Sequence, residues 1–397
     1  MKKYLFIILG LCLVLRMVAI MTIHLPLVND AYAYDSIARN LLAGYGFTDG
    51  SMLASKPPVY PLAVATMYLV SGSNDPLAAK IAQILFSLLL CGLIYILGQK
   101  IFNEQAGLLA AALFAIDGIF IYFTAQVLSD ILFVLLVLVG VMLLKQGLSS
   151  NNWADFGWAG FFISLATLTK GTSVLLPFFL AGALLVAGRK NLGKYLLIFL
   201  TVYLLTLVPW AVRNYQWFNR VIISSTNGGQ NLLEANNPYL RFSELGNWPV
   251  YSDLVKMNPE YIAPPKMNES DIDLFLRAKA VKFMVTNPGR SLILSAAKFI
   301  KYWTPWPVYP WSFKIILLAF LTQGLTVIAG VAGAWLLRKN WREHILPLSL
   351  ILYFTLMHMV FFAMIRYRLV IMPYIYIFAA YALWSIKDTF IRKVAHE

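Results

Sequence analysis

Charged residues are scarce in this chain. Asp, Glu, Lys and Arg make up only 13% of its 397 residues, whereas hydrophobic residues make up 60%. A soluble protein carries about 25% charged residues, so the composition excludes an ordinary soluble enzyme. It predicts an all-α polytopic membrane protein, because helices satisfy their own backbone hydrogen bonds in lipid.

Cysteine and histidine are scarce as well. Cys12 and Cys91 both lie in apolar stretches, which argues against a disulfide framework. No two of the four histidines have the spacing of zinc ligands, so no metal site and no cofactor is predicted. Whether a divalent cation assists is left open. The run Asn227-Gly228-Gly229 has no strand-to-helix context, so it is not predicted to be a phosphate-binding loop.

Apolar stretches long enough to approach the roughly 20 residues of a membrane-spanning helix are frequent. Ten spans are predicted, at residues 4–23, 76–101, 106–123, 126–146, 156–170, 172–188, 194–211, 313–337, 344–364 and 369–386. With the N-terminus inside, Lys2, Lys100, Lys145 and Arg338 fall at inner positions, as the positive-inside rule requires.

The net charge of +14 is then explained by positive inner loops and by contact with anionic membrane lipids, not with nucleic acid. This arrangement predicts a multi-pass protein of the cytoplasmic (inner) membrane. A single transmembrane domain over 1–397 is expected, with no separate soluble domain.

Two segments are predicted on the extracytoplasmic side. Residues 24–75 contain the helical spacing of Asp30 to Gly44 and a second short apolar stretch at 58–72, and both are predicted to be interfacial helices. Residues 212–312 form the larger segment, rich in Asn, Pro, Trp and Tyr.

Carboxylates next to or within apolar stretches are the first candidates for chemistry. Asp30 follows the first span and is interpreted either as a general base or as a helix N-cap. Asp35, one turn on, faces either the same cavity or solvent. Asp117 and Asp130 flank the hairpin between the third and fourth spans. Carboxylates at such depth usually line a cavity, although buried caps and ion pairs remain alternatives.

Cations at outer positions are the second set of candidates. They are Arg16, Lys56, Lys170, Arg213 and the pair Arg366 and Arg368. A phosphate-bearing lipid would explain them, because Arg and Lys bind phosphate strongly. Snorkelling, or ion pairing with Asp30, Asp117 or Asp130, is the alternative. Arg366 and Arg368 are two residues apart and cannot share a helix face, so one of them is expected to face the site.

Several short motifs resemble one family in their order and spacing. They are the outer Asp30, Gly44-Tyr45-Gly46-Phe47, Lys56-Pro57-Pro58-Val59-Tyr60-Pro61, Pro209-Trp210 through Tyr215, and Arg366-Tyr367-Arg368-Leu369. Together they resemble bacterial membrane glycosyltransferases of the GT-C fold. This superfamily includes the protein O-mannosyltransferases and the lipid A aminoarabinose transferase, glycosyltransferase families 39 and 83.

The resemblance implies a polyprenyl-phosphate sugar donor, an extracytoplasmic acceptor (a cell-envelope glycan, lipid or protein) and an inverting displacement. It implies catalytic roles for Asp30 and Asp130, with Asp30 as the base. It implies donor-phosphate contacts from Lys56, Arg213, Arg366 and Arg368. The further candidates for substrate binding are Arg16, Tyr34, Asp35, Tyr60, Asp117, Lys170 and Tyr367.

One departure from the family bears on metal use. Many relatives have a second acidic residue beside the first-loop aspartate, whereas this chain reads Asn29-Asp30-Ala31, so a metal role there is not expected. Three other functions are kept as alternatives: a secondary transporter, a ligase or polymerase of lipid-linked glycans, and a non-enzymatic scaffold. The charges cluster at the outer face without repeated halves, which favours the enzyme over a transporter.

Overall fold

The computed structural model describes residues 2–188, 192–240, 250–306 and 312–394. Within these ranges the regular elements are helices, so the all-α prediction is confirmed. Residues 241–249 and 307–311 of the predicted segment 212–312 lie outside the described residues.

The helices are bounded as follows. The first nine are α1 (Lys2–Thr22), α2 (Asp30–Leu42), α3 (Val59–Ser71), α4 (Pro76–Ile101), α5 (Glu104–Ala115), α6 (Gly118–Thr124), α7 (Asp130–Ser150), α8 (Trp153–Thr167) and α9 (Leu176–Val186). The others are α10 (Gly193–Phe218), α11 (Gly228–Ala235), α12 (Tyr251–Met257), α13 (Glu269–Thr286), α14 (Pro288–Trp303), α15 (Phe313–Ala319), α16 (Leu325–Leu336), α17 (Ile345–Val360) and α18 (Met372–Val394).

The number of membrane spans differs from the prediction. Six helical stretches in the described ranges are long and apolar enough to cross a membrane: α1, α4, α7, α10, α15 joined to α16, and Ile365–Ser385. The pair α5 and α6 makes a seventh if it is counted as one span, bent by 56°. The predicted spans at 156–170, 172–188 and 344–364 correspond to the shorter helices α8, α9 and α17, so the count of ten is not confirmed.

The bend between α5 and α6 is held by two buried charged residues. Arg16 of α1 donates to the carbonyls of Phe114 and Ala115, at 3.3 and 3.0 Å, in the last turn of α5. Asp117 accepts from the first backbone N–H groups of α6, at 2.8 and 3.0 Å. Asp117 is therefore an N-cap, and Arg16 is an anchor of the broken helix.

The two predicted outer segments lie against each other. The Thr226 N–H donates to the Ala54 carbonyl at 2.9 Å, and the Leu53 N–H donates to Glu269 at 3.0 Å. Contacts between segments so far apart in sequence place α2 and α3 on the same side of the helix bundle as α11 and α13. The outer segment 212–312 therefore packs against the segment 24–75, which carries Asp30 and Lys56.

Candidate active site

Five charged side chains form one continuous chain of ion pairs. Lys56 Nζ lies 2.6 Å from Asp30 Oδ1, and Arg366 Nη2 lies 3.3 Å from Asp30 Oδ2. On its other side Arg366 donates from Nε to Asp130 Oδ2 at 2.7 Å, and Lys170 Nζ lies 2.6 Å from Asp130 Oδ1. Three cations alternate with two carboxylates, so this chain of ion pairs carries one positive charge in excess.

The five residues come from separate parts of the sequence. Asp30 and Asp130 are the first residues of α2 and α7, where helix dipoles favour negative charge. Lys56 precedes α3, Lys170 follows α8, and Arg366 lies in the 3-10 turn before α18. The structure thus brings together five residues that sequence analysis had singled out one by one.

The alternative interpretation of Asp30 as a helix cap does not match its geometry. The N-cap of α2 is Asn29, in a left-handed conformation (φ 50°), and no side-chain cap bond is made there. The Asp30 carboxylate is directed instead at Lys56 and Arg366. The same holds for Asp130, whose helix is preceded by Ser129 without a side-chain cap bond.

The two carboxylates differ in their access to solvent. The Asp30 side chain is 37% exposed, whereas that of Asp130 is 3% exposed. Burial would raise the pKa of Asp30, but the Lys56 ammonium and the Arg366 guanidinium outweigh it and hold that pKa well below its usual range. Asp30 is therefore ionised at neutral pH, and it is the carboxylate of the pair that is accessible from solvent.

Aromatic side chains surround the ion-pair chain. Tyr34 lies edge-on to Tyr60, with ring centroids 4.8 Å apart, and its hydroxyl is 3.1 Å from Ser129 Oγ. Lys170 Nζ lies 5.1 Å from the centre of the Tyr367 ring, a cation–π distance. Four of the candidate substrate-binding residues thus lie at the chain of ion pairs: Tyr34, Tyr60, Lys170 and Tyr367.

His358 was missed by sequence analysis. Its ring stacks on Tyr367 with centroids 5.0 Å apart and planes 2° from parallel, and a small cavity beside it is also lined by Asp130, Lys170 and Arg366. The available signal was a single histidine within the mostly apolar helix α17. Histidine had been considered only for zinc-ligand spacing, which gave this position no weight.

A second polar cluster contains the other predicted residues of this part of the bundle. Asp117 accepts from Gln323 Nε2 at 3.0 Å and from the Tyr376 hydroxyl at 2.7 Å. Arg368 donates to Gln323 Oε1 at 2.7 Å and to the carbonyls of Tyr302 and Thr304. Asp117 and Arg368 are fully buried. Of the arginine pair, Arg366 is thus the one placed at the ion-pair chain.

Asp35 and Arg213, the last two predicted residues, also lie outside the chain of ion pairs. Asp35 is buried rather than solvent-facing, pairs with Arg39 at 2.7 Å and accepts from the Tyr68 hydroxyl. Arg213 donates to the carbonyls of Phe47 and Leu53, at 3.1 and 2.7 Å. A phosphate contact from Arg213 stays a prediction, and its partners in the structure are these two carbonyls and Asn214 Oδ1.

The carboxylates of the ion-pair chain bear on the question of metal binding. Among the described residues there is no group of three or more His, Cys, Asp and Glu that could hold an ion. Asp30 and Asp130 are each bonded to two cations, which would have to move before a metal could bind.

The chain is similar to known proteins at two levels. Residues 55–212, less than half of the chain, match the model of the dolichyl-phosphate-mannose-protein mannosyltransferase family. Lys56, Asp130 and Lys170 fall within that match, whereas Arg213 lies one residue beyond its end. No curated protein matches the sequence significantly.

Solved structures with the same fold include oligosaccharyltransferases of Archaeoglobus fulgidus. AglB in complex with an inhibitory peptide and a dolichol-phosphate shares 14% identity, with a TM-score of 0.62 over 100% of this chain and 51% of that one. The oligosaccharyltransferase of the same organism tethered to an acceptor peptide shares 15% identity, with a TM-score of 0.63 over 100% of this chain and 50% of that one. This chain thus spans about half the length of these enzymes.

A third similar structure is ArnT from Cupriavidus metallidurans bound to undecaprenyl phosphate. It shares 13% identity over 96% of this chain and 78% of that one, with a TM-score of 0.48. The predicted fold class is confirmed by the oligosaccharyltransferases. The chain has the GT-C fold of membrane glycosyltransferases, and within residues 55–212 it resembles the dolichyl-phosphate-mannose-protein mannosyltransferases.

Proposed function

We propose that this protein is a membrane glycosyltransferase that moves a sugar from a polyprenyl-phosphate donor to an acceptor at the extracytoplasmic face. The observation that carries the proposal is the chain of ion pairs around Asp30, with one positive charge in excess and one accessible carboxylate. The GT-C fold supports the reaction class. The acceptor in this proposal is a glycan, a lipid or a protein of the cell envelope.

The charge of the site suits a phosphodiester. A sugar linked to polyprenyl monophosphate carries one negative charge, which matches the excess of the three cations over the two carboxylates. Lys56 and Arg366 touch Asp30 and are 15% and 16% exposed, so both cations are accessible to a donor phosphate. Lys and Arg bind phosphate strongly through charge-assisted hydrogen bonds.

The reaction needs one base and no acid. Asp30 accepts the proton of an acceptor hydroxyl while the acceptor oxygen forms a bond to the sugar C1. The bond between C1 and the phosphate oxygen breaks on the opposite face, and its electron pair leaves with the polyprenyl phosphate. The configuration at C1 is thereby inverted. Lys56 and Arg366 compensate the charge that develops on the leaving phosphate, and such stabilisation is often the largest catalytic term.

Asp30 and the cations depend on each other in this scheme. A carboxylate paired with two cations is a weak base, and a phosphate that draws Lys56 and Arg366 toward itself weakens those pairs. The donor then raises the pKa of Asp30 toward its usual range, which favours proton transfer. Asp130, 3% exposed and paired with Lys170 and Arg366, holds the arginine in place.

The test is donor turnover in proteoliposomes. Sugars on polyprenyl monophosphate and glycans on polyprenyl pyrophosphate are offered with envelope extracts as acceptors, and products are followed by mass spectrometry against protein-free vesicles. We expect turnover of a monophosphate donor. Turnover of pyrophosphate-linked glycans alone would identify a ligase or polymerase, and uptake of solute without bond cleavage would identify a transporter. Either result would contradict the proposal.

A further inference from the structure

The backbone N–H and C=O of Leu53 are both bonded to charged side chains from distant helices. Arg213 of α10 donates from Nη1 to the Leu53 carbonyl at 2.7 Å. Glu269, the first residue of α13, accepts from the Leu53 N–H at 3.0 Å. A loop residue whose donor and acceptor are both bonded to side chains 160 and 216 positions away is fixed by long-range contacts.

The residues around Leu53 are fixed in the same way. Arg213 also reaches the Phe47 carbonyl, at 3.1 Å, and the Ala54 carbonyl accepts from the Thr226 N–H at 2.9 Å. On the inner side of the loop, Asp49 accepts from the Ser55 hydroxyl at 2.8 Å. The segment 47–55 is thus tied to α10, to the turn before α11 and to α13.

Lys56 follows this segment directly. Its ammonium makes one ion pair, with Asp30, so the position of its backbone decides where the charge lies. Three residues on, the Val59 N–H donates to the Leu168 carbonyl at 2.9 Å, at the end of α8. The backbone that carries Lys56 is therefore anchored on both sides, by α10 and α13 before it and by α8 after it.

Glu269 is suited to this task by its surroundings. It is half-buried, burial raises its pKa, and its contacts with Leu53 are to backbone N–H rather than to a cation. A carboxylate accepting a backbone N–H makes a charge-assisted bond. Asp271, two residues on in the same helix, instead pairs with Arg220 at 2.7 Å with 30% of its side chain exposed.

We infer that Glu269 and Arg213 are positioning residues, which together set Lys56 at the place where it meets the donor phosphate. This inference rests on the proposed function, and it gives Arg213 a role in the donor site that acts through the loop. It also adds a residue of the larger outer segment, Glu269, to the determinants of donor binding. A displacement of a charged group by about 1 Å can cost on the order of a hundredfold in activity.

The experiment is a double-mutant cycle read out as binding of undecaprenyl phosphate to the purified full-length protein, without any acceptor. The variants are Glu269→Ala, Lys56→Ala and the double variant, with Asp271→Ala as the control in the same helix. Glu269→Gln tests for rescue, because its amide oxygen can still accept the Leu53 N–H. The melting temperature of each variant confirms that it is folded.

We expect Glu269→Ala to weaken binding on the order of tenfold, Glu269→Gln to restore most of it, and Asp271→Ala to leave it unchanged. Glu269 is inferred to act through Lys56. In the Lys56→Ala background, Glu269→Ala should therefore weaken binding by less than about a further twofold, the non-additivity expected of coupled residues. An effect of Glu269→Ala that persists in full without Lys56 would overturn the inference.

The outcomes separate this inference from the proposed function. If Lys56→Ala weakens binding and Glu269→Ala leaves it unchanged, the positioning role of Glu269 is contradicted and the proposed function is not. If the wild-type protein does not bind undecaprenyl phosphate, the proposed function is contradicted, and so is the positioning role of Glu269 and Arg213.

Discussion

Among single residues, Lys298 is the most unusual outside the ion-pair chain. It lies on α14, is fully buried, and donates to Asn236 Oδ1 at 2.9 Å and to the Val360 carbonyl at 3.0 Å. Within the described residues no carboxylate lies within ion-pair distance of it. Burial lowers its pKa from 10.5 to about 7, because the ammonium loses its hydration.

This residue predicts a pH dependence of stability. Between about pH 7 and 10 the unfolded chain holds the Lys298 proton and the folded protein has lost it, so stability rises with pH, by at most about 1.4 kcal/mol per pH unit. We expect the rise in melting temperature from pH 7 to 9 to be smaller in Lys298→Met than in the wild type, by the part that this lysine contributes. Parallel pH profiles for the two proteins would contradict the assignment.

The sorting of the cations shows what the sequence can and cannot reveal. All six outer candidates were predicted from their position next to apolar stretches, and Lys56, Lys170 and Arg366 do meet at carboxylates. Arg16, Arg213 and Arg368 instead bond backbone carbonyls. A carbonyl left free by a broken helix or a loop carries no mark in the sequence, so the two groups could not be separated beforehand.

At the scale of helices, packing depends on glycines at close approaches. Gly330 and Gly333 of α16 face the backbone of Ile375 and Phe378 in α18, and a Cβ at Gly333 would overlap the Phe378 carbonyl. Small residues let helix backbones approach in this way within membranes. The contact braces α18, whose preceding turn carries Arg366.

Gly333→Ala is therefore expected to destabilise the protein by about 1–3 kcal/mol, the usual cost of overpacking. Gly182→Ala is the matched control, because Gly182 is also helical and has open space around its Cα. There alanine should be neutral or stabilising. Thermal unfolding in detergent measures both, and equal melting temperatures for the two variants would contradict the packing argument.

Individual helices were predicted better than membrane spans. The interfacial helices predicted at Asp30 to Gly44 and at 58–72 match α2 and α3 closely, since glycines and prolines mark their ends. The count of ten spans is not confirmed, because helices of 15 or 16 residues, such as α8 and α17, are shorter than the roughly 20 residues that cross a membrane. The break within the predicted span 106–123 becomes visible only in the structure, where Asp117 caps α6.

For the whole molecule, the orientation in the membrane decides which substrates can reach the site. The proposal places the segment 24–75 outside, and the loop containing Lys339 inside. Cys12 and Cys91 are both fully buried, so they should give little background in cysteine labelling. Tyr45, 77% exposed in the first segment, and Lys339, exposed after α16, are suitable reporter positions.

We expect Tyr45→Cys to react with a membrane-impermeant maleimide in right-side-out vesicles. Lys339→Cys should react only after the vesicles are opened. The reverse pattern would place Asp30 and its cations at the cytoplasmic face, where the proposed extracytoplasmic acceptor could not meet them.

The central claim is that Asp30 is the base of a glycosyl transfer. Its most direct test is the turnover of the accepted donor by Asp30→Asn beside Asp271→Asn, a carboxylate of similar exposure that is also paired with an arginine. We predict a loss on the order of 10²–10⁴-fold for Asp30→Asn, with undecaprenyl phosphate still bound, and wild-type turnover for Asp271→Asn. Full turnover by Asp30→Asn would contradict the claim.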